Sequence, residues 1–461
     1  MSSFFGPKLA IARAAGGLSR ASGRGGGTTL PGRLLLRMAP DAIARLGSRL
    51  PEGATIVSAT NGKTTTASMI AAALRAAGRP PVHNRAGSNM TWGVATALLE
   101  QTGEEGLFEV DEAWLPRVAD DLDPRIVVLG NLFRDQLDRY GELEHIADEW
   151  AAAVAKHAGA AGFVLNADDP LIADLGRDAE LARRPGVTYF GIEDPSQALP
   201  ELPHAFDAKY CRRCGAPYEY ERAFVGHLGH YSCPSCGADR PAPDVAATRI
   251  ELEGMRGSRA QVRTPDGEVE LRLRIPGLYN VYNALAALAA AQRLGLALPE
   301  AARAMEEMRA VFGRVETVRV AGKDLSMLLI KNPAGANEVI RTLLLEARAN
   351  GEPTLDLWVG LNDRIADGRD ISWVWDADFE LLAGHVRQVT CAGTRAPEMA
   401  VRLKYAGIAP EAIEVAPGIT QSIDRAVDRA DGRLFALPTY TALLELRTLL
   451  SKRGLARDYW E

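Results

Sequence analysis

The sequence predicts an α/β protein with a central phosphate-loop ATPase domain on a parallel sheet, a zinc ribbon inserted into it, and a smaller α/β domain towards the C-terminus. Three observations carry that expectation. Short β-branched runs alternate with helical patterns, as in "GATIVSAT" then "ASMIAAALRAAG" and "RIVVLGN" then "HIADEWAAAVAKHA", the signature of parallel strands covered by helices. The stretch Ser58 to Thr66, "SATNGKTTT", stands where the first of those strands gives way to its helix. Four of the five cysteines fall as two C-x-x-C pairs inside the same block.

Residues 1–50 differ in character from the rest of the chain. Lys8, Arg13, Arg20, Arg24, Arg33, Arg37, Arg45 and Arg49 face one acid, Asp41, with "FFGPKLAIA" at the front and "GRGGGTTLPGR" behind it. The segment reads either as a helix with a solvated basic loop or as a surface that approaches anionic lipid headgroups. Lys8 and Arg13 break the apolar run and no small-residue cleavage site comes after it, so it is not a secretory signal. No run approaches ~18 uncharged apolar residues, so no membrane span is expected. Over the whole chain, 461 residues with 47% hydrophobic and 24% charged content suit a globular protein of two to four domains. The net charge of -6 argues against a dedicated nucleic-acid binder, which needs a basic surface to displace counterions. A cytoplasmic protein is expected, optionally peripheral at the inner face of the membrane.

From residue 51 to 311 the alternation describes a central domain, continued by "GFVLNADDP" and interrupted at 205–243 by the cysteine block between "ALPELPH" and "DRPAPDV". Strands resume in "ATRIELEGMRGSRAQVRTPDGEVELRLRIPG", where "PDG" makes the turn, and "NVYNALAALAAAQRLG" comes next as a helix. A second alternation begins near residue 312 and runs to 461 through "LSMLLIKNPAGANEVIRTLLLEA", "TLDLWVGLND" and "VRQVTCAG".

The chemistry is concentrated in two places. A strand, a turn and a helix start at "SATNGKTTT" set backbone amides and the positive helix end around a phosphate; Lys63 adds a charge, and the Thr64 hydroxyl is placed for magnesium. Thr60, Asn61, Gly62, Lys63, Thr64 and Thr65 are therefore candidate ATP-binding residues. Val57 stands where the usual G-x-x-x-x-G-K-[ST] spacing has its first glycine, and a Thr-rich helix cap is the plain alternative. Cys211, Cys214, Cys233 and Cys236, with Gly215 and Gly237 directly after each pair, match a four-thiolate zinc ribbon with no position left for water, hence a structural zinc. Two disulfides or two redox pairs are the alternatives. Cys391, inside an apolar strand-like run, reads as a small buried residue.

Taken together, the motifs resemble the Mur ligase family. "SATNGKTTT" is similar to that family's "TGTNGKTTT", with Ala59 at the usual glycine, and "FEVDEA" (108–113) looks like its acidic metal-binding segment. "GNLFRDQLDRYG" (130–141), "LNADDP" (165–170), "PGLYNVYNALAALAAA" (276–291), "FGRVE" (312–316), "KNPAGANE" (331–338) and "GLNDRIADGRDISW" (360–373) come after it in the family's order. Gln136 stands at a usual histidine. Only some fifty residues precede the loop, too few for the family's UDP-binding domain; with the cysteine ribbon, "NDRIADGRDISWVWDADFE" and "LPTYTALLELRTLL", this resembles the MurT subfamily.

The resemblance implies ATP, magnesium, a heterodimer with a GatD-type glutaminase, and amidation of the α-carboxylate of D-isoglutamate in the lipid II stem peptide. It implies Glu109 and Glu112 as magnesium carboxylates, Glu112 preferred, with a solvated acidic turn as the alternative. Asn280 and Asn283 would face the adenine or its phosphates, or cap the alanine-rich helix, and Arg314 would bind a phosphate from across the cleft. Asp363 and Asp367 in "DRIADG" stand where an aspartate of the resembled complex assists the partner's Cys and His; a helix-capping loop is the alternative. Two further functions stay open at this point: a stand-alone ligase of Mur or folylpolyglutamate synthase type, and a zinc-ribbon ATPase that binds nucleic acid through Arg212, Arg213 and Arg222.

Overall fold

Strand β1 (Ala54–Ser58) is buried at every position, as a continuous β-branched run demands when helices cover both faces of a parallel sheet. The computed structural model describes residues 5–21, 29–84, 87–135, 143–180, 186–204, 206–308, 316–349 and 355–456. Among these residues β1 belongs to a nine-stranded sheet with β2 (Val82–His83), β3 (Gly106–Glu109), β4 (Ile126–Leu129), β5 (Gly162–Asn166), β6 (Val187–Ile192), β9 (Val245–Leu252), β10 (Ser258–Thr264) and β11 (Gly267–Leu273). Strands β7 (Glu219–Val225) and β8 (Leu228–Ser232) form a separate two-stranded ribbon between β6 and β9. The order is β11-β10-β9-β6-β5-β4-β1-β3-β2, parallel except for the antiparallel meander β9–β11. Strand β1 pairs with β3 on one side and β4 on the other. Its carboxyl end is a topological switch point, where open α/β sheets place their ligands.

Helices α4 (Lys63–Ala76), α9 (Leu278–Arg293) and α10 (Leu298–Glu306) cover one face of this sheet. The other face is covered by α1 (Phe5–Ala21), α2 (Leu30–Met38), α3 (Ala42–Gly47), α5 (Thr91–Glu100), α6 (Leu115–Leu122), α7 (Leu143–His157) and α8 (Pro170–Glu180). Helix α9 is buried from Asn280 to Ala291, and its alanines let it lie close against α4.

The basic N-terminal segment is fastened to this second layer. Lys8 Nζ donates to the Met38 carbonyl at 2.6 Å, and Arg13 donates to the Leu99 carbonyl at 2.9 and 3.0 Å, so both cations close helix ends. The Arg33 guanidinium lies 4.6 Å from the Trp92 ring. These three side chains are committed to the protein's own helices, which favours the plain reading of the segment over a lipid-facing surface. No helix among the described residues is long and apolar enough to cross a membrane.

The second sheet has six strands in the order β12-β13-β17-β14-β15-β16: β12 (Glu316–Val320), β13 (Lys323–Met327), β14 (Leu355–Gly360), β15 (Val386–Ala392), β16 (Ile413–Val415) and β17 (Arg433–Pro438). Only the β12–β13 pair is antiparallel. Helices α11 (Pro333–Ala349), α12 (Ala396–Tyr405), α13 (Ile419–Arg429) and α14 (Tyr440–Lys452) complete it. The segment between β13 and α11 brings Lys331 and Asn332 against the β1–α4 loop, so the two sheets meet at the switch point.

Candidate active site

Gly62 ends the loop with φ of 97°, a left-handed conformation that L side chains rarely adopt, and a Cβ there would lie 2.0 Å from Asn283 Oδ1. The asparagine–glycine turn is therefore needed for α9 to approach the start of α4. No side chain caps α4, which leaves its positive end facing the cleft. Thr60 fixes the loop from behind: its N–H donates to the Asn131 carbonyl at 2.9 Å, and its Oγ1 accepts from Phe133 N–H at 3.1 Å. Asn61 exchanges two hydrogen bonds with the Asn131 side chain, each 2.9 Å. Thr65 is buried on the first turn of α4.

Lys63 is buried, and its Nζ lies 2.6 Å from Glu112 Oε2. Burial alone would lower the lysine pKa, but Glu112, Asp111 and Glu109 outweigh it and the pKa is raised. Burial likewise favours the neutral Glu112, yet Lys63 and Lys331 hold its carboxyl below the usual range. The two form an ionised buried pair. Thr64 Oγ1 donates to Glu109 Oε1 at 2.9 Å. Glu109 reaches this place because β3 runs parallel to β1 with Val57 opposite it. The two glutamates of "FEVDEA" thus take different partners, Glu109 the hydroxyl and Glu112 the ammonium.

Residues that the sequence reading did not name close the site from the second sheet. Lys331 Nζ donates to the Thr60 carbonyl at 3.1 Å and to Asp135 Oδ2 at 2.5 Å. The Asn332 and Asn61 side chains exchange hydrogen bonds of 3.1 and 3.2 Å. Both Lys331 and Asn332 lie in the family-like stretch "KNPAGANE", but the pairing spans 271 residues and no local pattern announces it. On one side of Lys331 a cleft of about 750 Å³ is lined mainly by apolar and aromatic groups, including Phe133, Tyr279 and Tyr282. On the other, a polar recess of about 530 Å³ is lined by Arg134, Asp135, Asp367, Asp370 and Trp373 among others.

Asn283 lines the first cleft; it accepts from Thr66 Oγ1 at 3.3 Å and donates to Asn280 Oδ1 at 3.0 Å. Asn280 donates to the Pro276 carbonyl at 2.7 Å, one turn inside α9. Neither asparagine is the N-cap, which is Gly277, so the capping alternative is corrected. Arg314 lies outside the described residues. Asp363 is partly exposed at the end of β14, taking Thr394 Oγ1 at 2.8 Å and Arg395 Nε at 2.8 Å. The Thr394 hydroxyl foremost, and then Arg395, hold its carboxyl below the usual range. Asp367 is buried and accepts from the Thr441 N–H at 2.7 Å and its hydroxyl at 2.5 Å, at the start of α14; burial raises its pKa.

The ligand atoms of Cys211, Cys214, Cys233 and Cys236 all lie within 4.8 Å of one another. The backbone N–H of Cys236 foremost, aided by that of Ser235, lowers the Cys233 thiol to about 6. Four soft donors converging with amide support fit zinc.

The Mur ligase middle domain model matches residues 57–210, and the MurT ligase C-terminal model matches residues 329–443. The lipid II isoglutaminyl synthase (glutamine-hydrolyzing) subunit MurT of Streptococcus pneumoniae (strain ATCC BAA-255 / R6) is 35% identical over 441 residues, 94% of this chain and 94% of its own. The chain belongs to the MurT family. Its Staphylococcus aureus (strain N315) relative of the same description is 30% identical over 96% of this chain and 97% of its own. Among solved structures, a pseudomurein peptide ligase type C from Methanothermus fervidus superposes with a TM-score of 0.67 at 23% identity, covering 89% of this chain and 80% of its own. MurF from Acinetobacter baumannii gives 0.64 at 18% identity, with 90% and 80% covered. The MurT-family chain therefore has the Mur ligase fold.

The residues present fit the groups this family implies. The Gly62 cradle and the open end of α4 suit a nucleotide phosphate, and Thr64 with Glu109 offers hard oxygen donors suited to magnesium. Elemental analysis of unchelated protein should find one zinc per chain. Structural zinc contributes ~10 to 16 kcal/mol to the folding of small metal-bound modules, so Cys233→Ser should lose the metal and lower the thermal midpoint.

Proposed function

We propose that this chain is the ATP-dependent ligase subunit that amidates the α-carboxylate of D-isoglutamate in the lipid II stem peptide, with ammonia supplied by a GatD-type glutaminase subunit. The observation that carries the proposal is the buried Lys63–Glu112 pair on a loop whose Thr60 carbonyl also receives Lys331, the lysine that lines both the apolar cleft and the polar recess. A carboxylate is a poor acyl donor. In the proposed sequence a carboxylate oxygen attacks the γ-phosphorus as its bond to ADP breaks, giving an acyl phosphate. Ammonia then attacks the acyl carbon, phosphate leaves, and the nitrogen loses a proton.

Lys63 and the α4 amides would hold the transferred phosphoryl group, and Lys331 would face the oxygens shared between phosphate and carboxylate. Thr64 and Glu109 would hold magnesium, which would supply charge neutralisation for that transfer. Glu112 keeps Lys63 charged and in place, a role other than the preferred metal ligand that the family segment implied.

The ammonia source is sought outside the chain because its cysteines offer no glutaminase nucleophile. Four form the metal cluster, and Cys391 is buried in β15 with burial pushing its thiol up to about 12. Asp363 suits the cross-subunit role better than Asp367: it stays ionised near the surface, whereas Asp367 is committed to Thr441. Around Asp363, Ile365 is 73% exposed, and α12 presents Glu398, Val401 and Tyr405 on one face, with the exposed Trp375 ring 6.0 Å from Tyr405. An exposed apolar stripe rimmed by charge suits a docking partner. A stand-alone ligase would leave this stripe and Asp363 without a use, and it would take a free amine with no partner.

Lys63→Met, paired with Glu112→Gln so that no buried charge is stranded, should lower amidation by at least about 10²-fold with either glutamine or ammonium as nitrogen source. Retained activity would remove the loop from the mechanism. Asp363→Asn should abolish glutamine-driven amidation while ammonium chloride restores it; Asp367→Asn should leave the ratio of the two nitrogen sources unchanged. Both are read by following isoglutamine formation on lipid II, and equal use of glutamine by parent and Asp363→Asn would end the cross-subunit assignment.

A further inference from the structure

The four-cysteine module touches the nucleotide cleft. Its hairpin β7–β8 has the cysteines at its open end, Cys233 directly after β8, and its turn at Gly226 and His227. Seven residues of β7 at ~3.3 Å each make an arm of about 20 Å. At the far end, Val225 and Leu228 line the cleft together with Tyr279 of α9 and Ala334 and Val339 of α11. The turn is held close: a Cβ at Gly226, whose φ is 56°, would lie 2.8 Å from Phe133, and the buried His227 ring lies 4.9 Å from that of Phe133, beside Asp169.

Two further anchors define what the arm joins. Gly229 N–H donates to the Asp168 carbonyl at 2.9 Å, tying β8 to the first sheet, and Arg341 of α11 donates to the Phe224 carbonyl at 3.2 Å, tying β7 to the second unit. A two-stranded hairpin is marginally stable alone. Its order here depends on the body at the tip and on the cysteine cross-link at the base.

We propose that the β7–β8 hairpin is the apolar side wall of the nucleotide's base-binding cleft, so that zinc at Cys211, Cys214, Cys233 and Cys236 sets affinity for the base from about 20 Å away. This rests on the nucleotide reading given under Proposed function. The wall faces the base because its lining is apolar and aromatic, while the phosphate-binding groups Gly62 and Lys63 lie at the start of α4. Tight binding of the triphosphate alone needs only those groups.

The test uses the full chain with its zinc and two probes, ATP and inorganic tripolyphosphate, by titration calorimetry. Loss of one apolar contact in a pocket is worth roughly ten- to 200-fold. Val225→Asn and Leu228→Ala should each weaken ATP by about tenfold or more while leaving tripolyphosphate binding and zinc stoichiometry as in the parent. Cys236→Ser, which opens the base of the arm, should produce the same split between the probes. Should either hairpin variant keep its zinc and bind ATP like the parent, or lose both probes in equal measure, the wall assignment is overturned. A parent protein that binds tripolyphosphate but gains nothing from the adenosine also overturns it. A parent that binds neither probe overturns the underlying nucleotide reading instead.

Discussion

A lysine ammonium buried in a protein stays charged when an anion and hydrogen-bond acceptors beside it offset the lost hydration, and Lys63 is held in that way by Glu112 at 2.6 Å. The arrangement around the β1–α4 loop depends on this pair. Glu112 begins a short turn after β3, and its backbone carbonyl accepts from the Trp150 indole of α7 at 2.9 Å, so the acid is positioned by the helix layer on the opposite face from α4. Removing one partner of a buried pair typically costs about 3–5 kcal/mol because the other charge is stranded. In the proposed reaction a bound phosphate would offer Lys63 a second anionic partner, so the pair that orders the protein at rest would also be poised for phosphoryl transfer.

The same sharing of contacts runs outward from the loop. Asn61 touches Asn131 on the first sheet and Asn332 from the second, and Lys331 reaches the Thr60 carbonyl and Asp135 together. Ligand affinity, the relation of the two sheets and the cysteine arm therefore share one junction, where Arg341 also grips the hairpin. A change in the angle between the two units would alter the mouths of both recesses at once, which would suit the proposed order of nucleotide binding before ammonia attack.

What was legible in the sequence was local. The strand–turn–helix at Gly62 and the C-x-x-C spacing of the four cysteines each encode their geometry within a few residues, and the alternation of β-branched runs with helical patterns gave the α/β class. The division of labour between Glu109 and Glu112 depends on the register of β3 against β1, with Val57 opposite Glu109, and neighbouring letters cannot show it. Lys331 and the hairpin tip at Val225 and Leu228 carry no local signal for the same reason, since their partners are brought in by folding. The capping of α14 by Asp367 was half visible as a polar loop, but the helix it serves begins at Tyr440, far along the chain.

The central claim is that the carboxylate is activated by phosphorylation at the Lys63 loop before nitrogen arrives. It is tested most directly by labelling the acceptor carboxylate of the stem peptide with oxygen-18, running amidation with ATP and ammonium chloride, and examining the released phosphate by phosphorus NMR. One labelled oxygen in each inorganic phosphate, transferred from the carboxylate, is the predicted result. Amide formed with phosphate that carries no label would contradict an acyl phosphate and, with it, the role assigned to the loop.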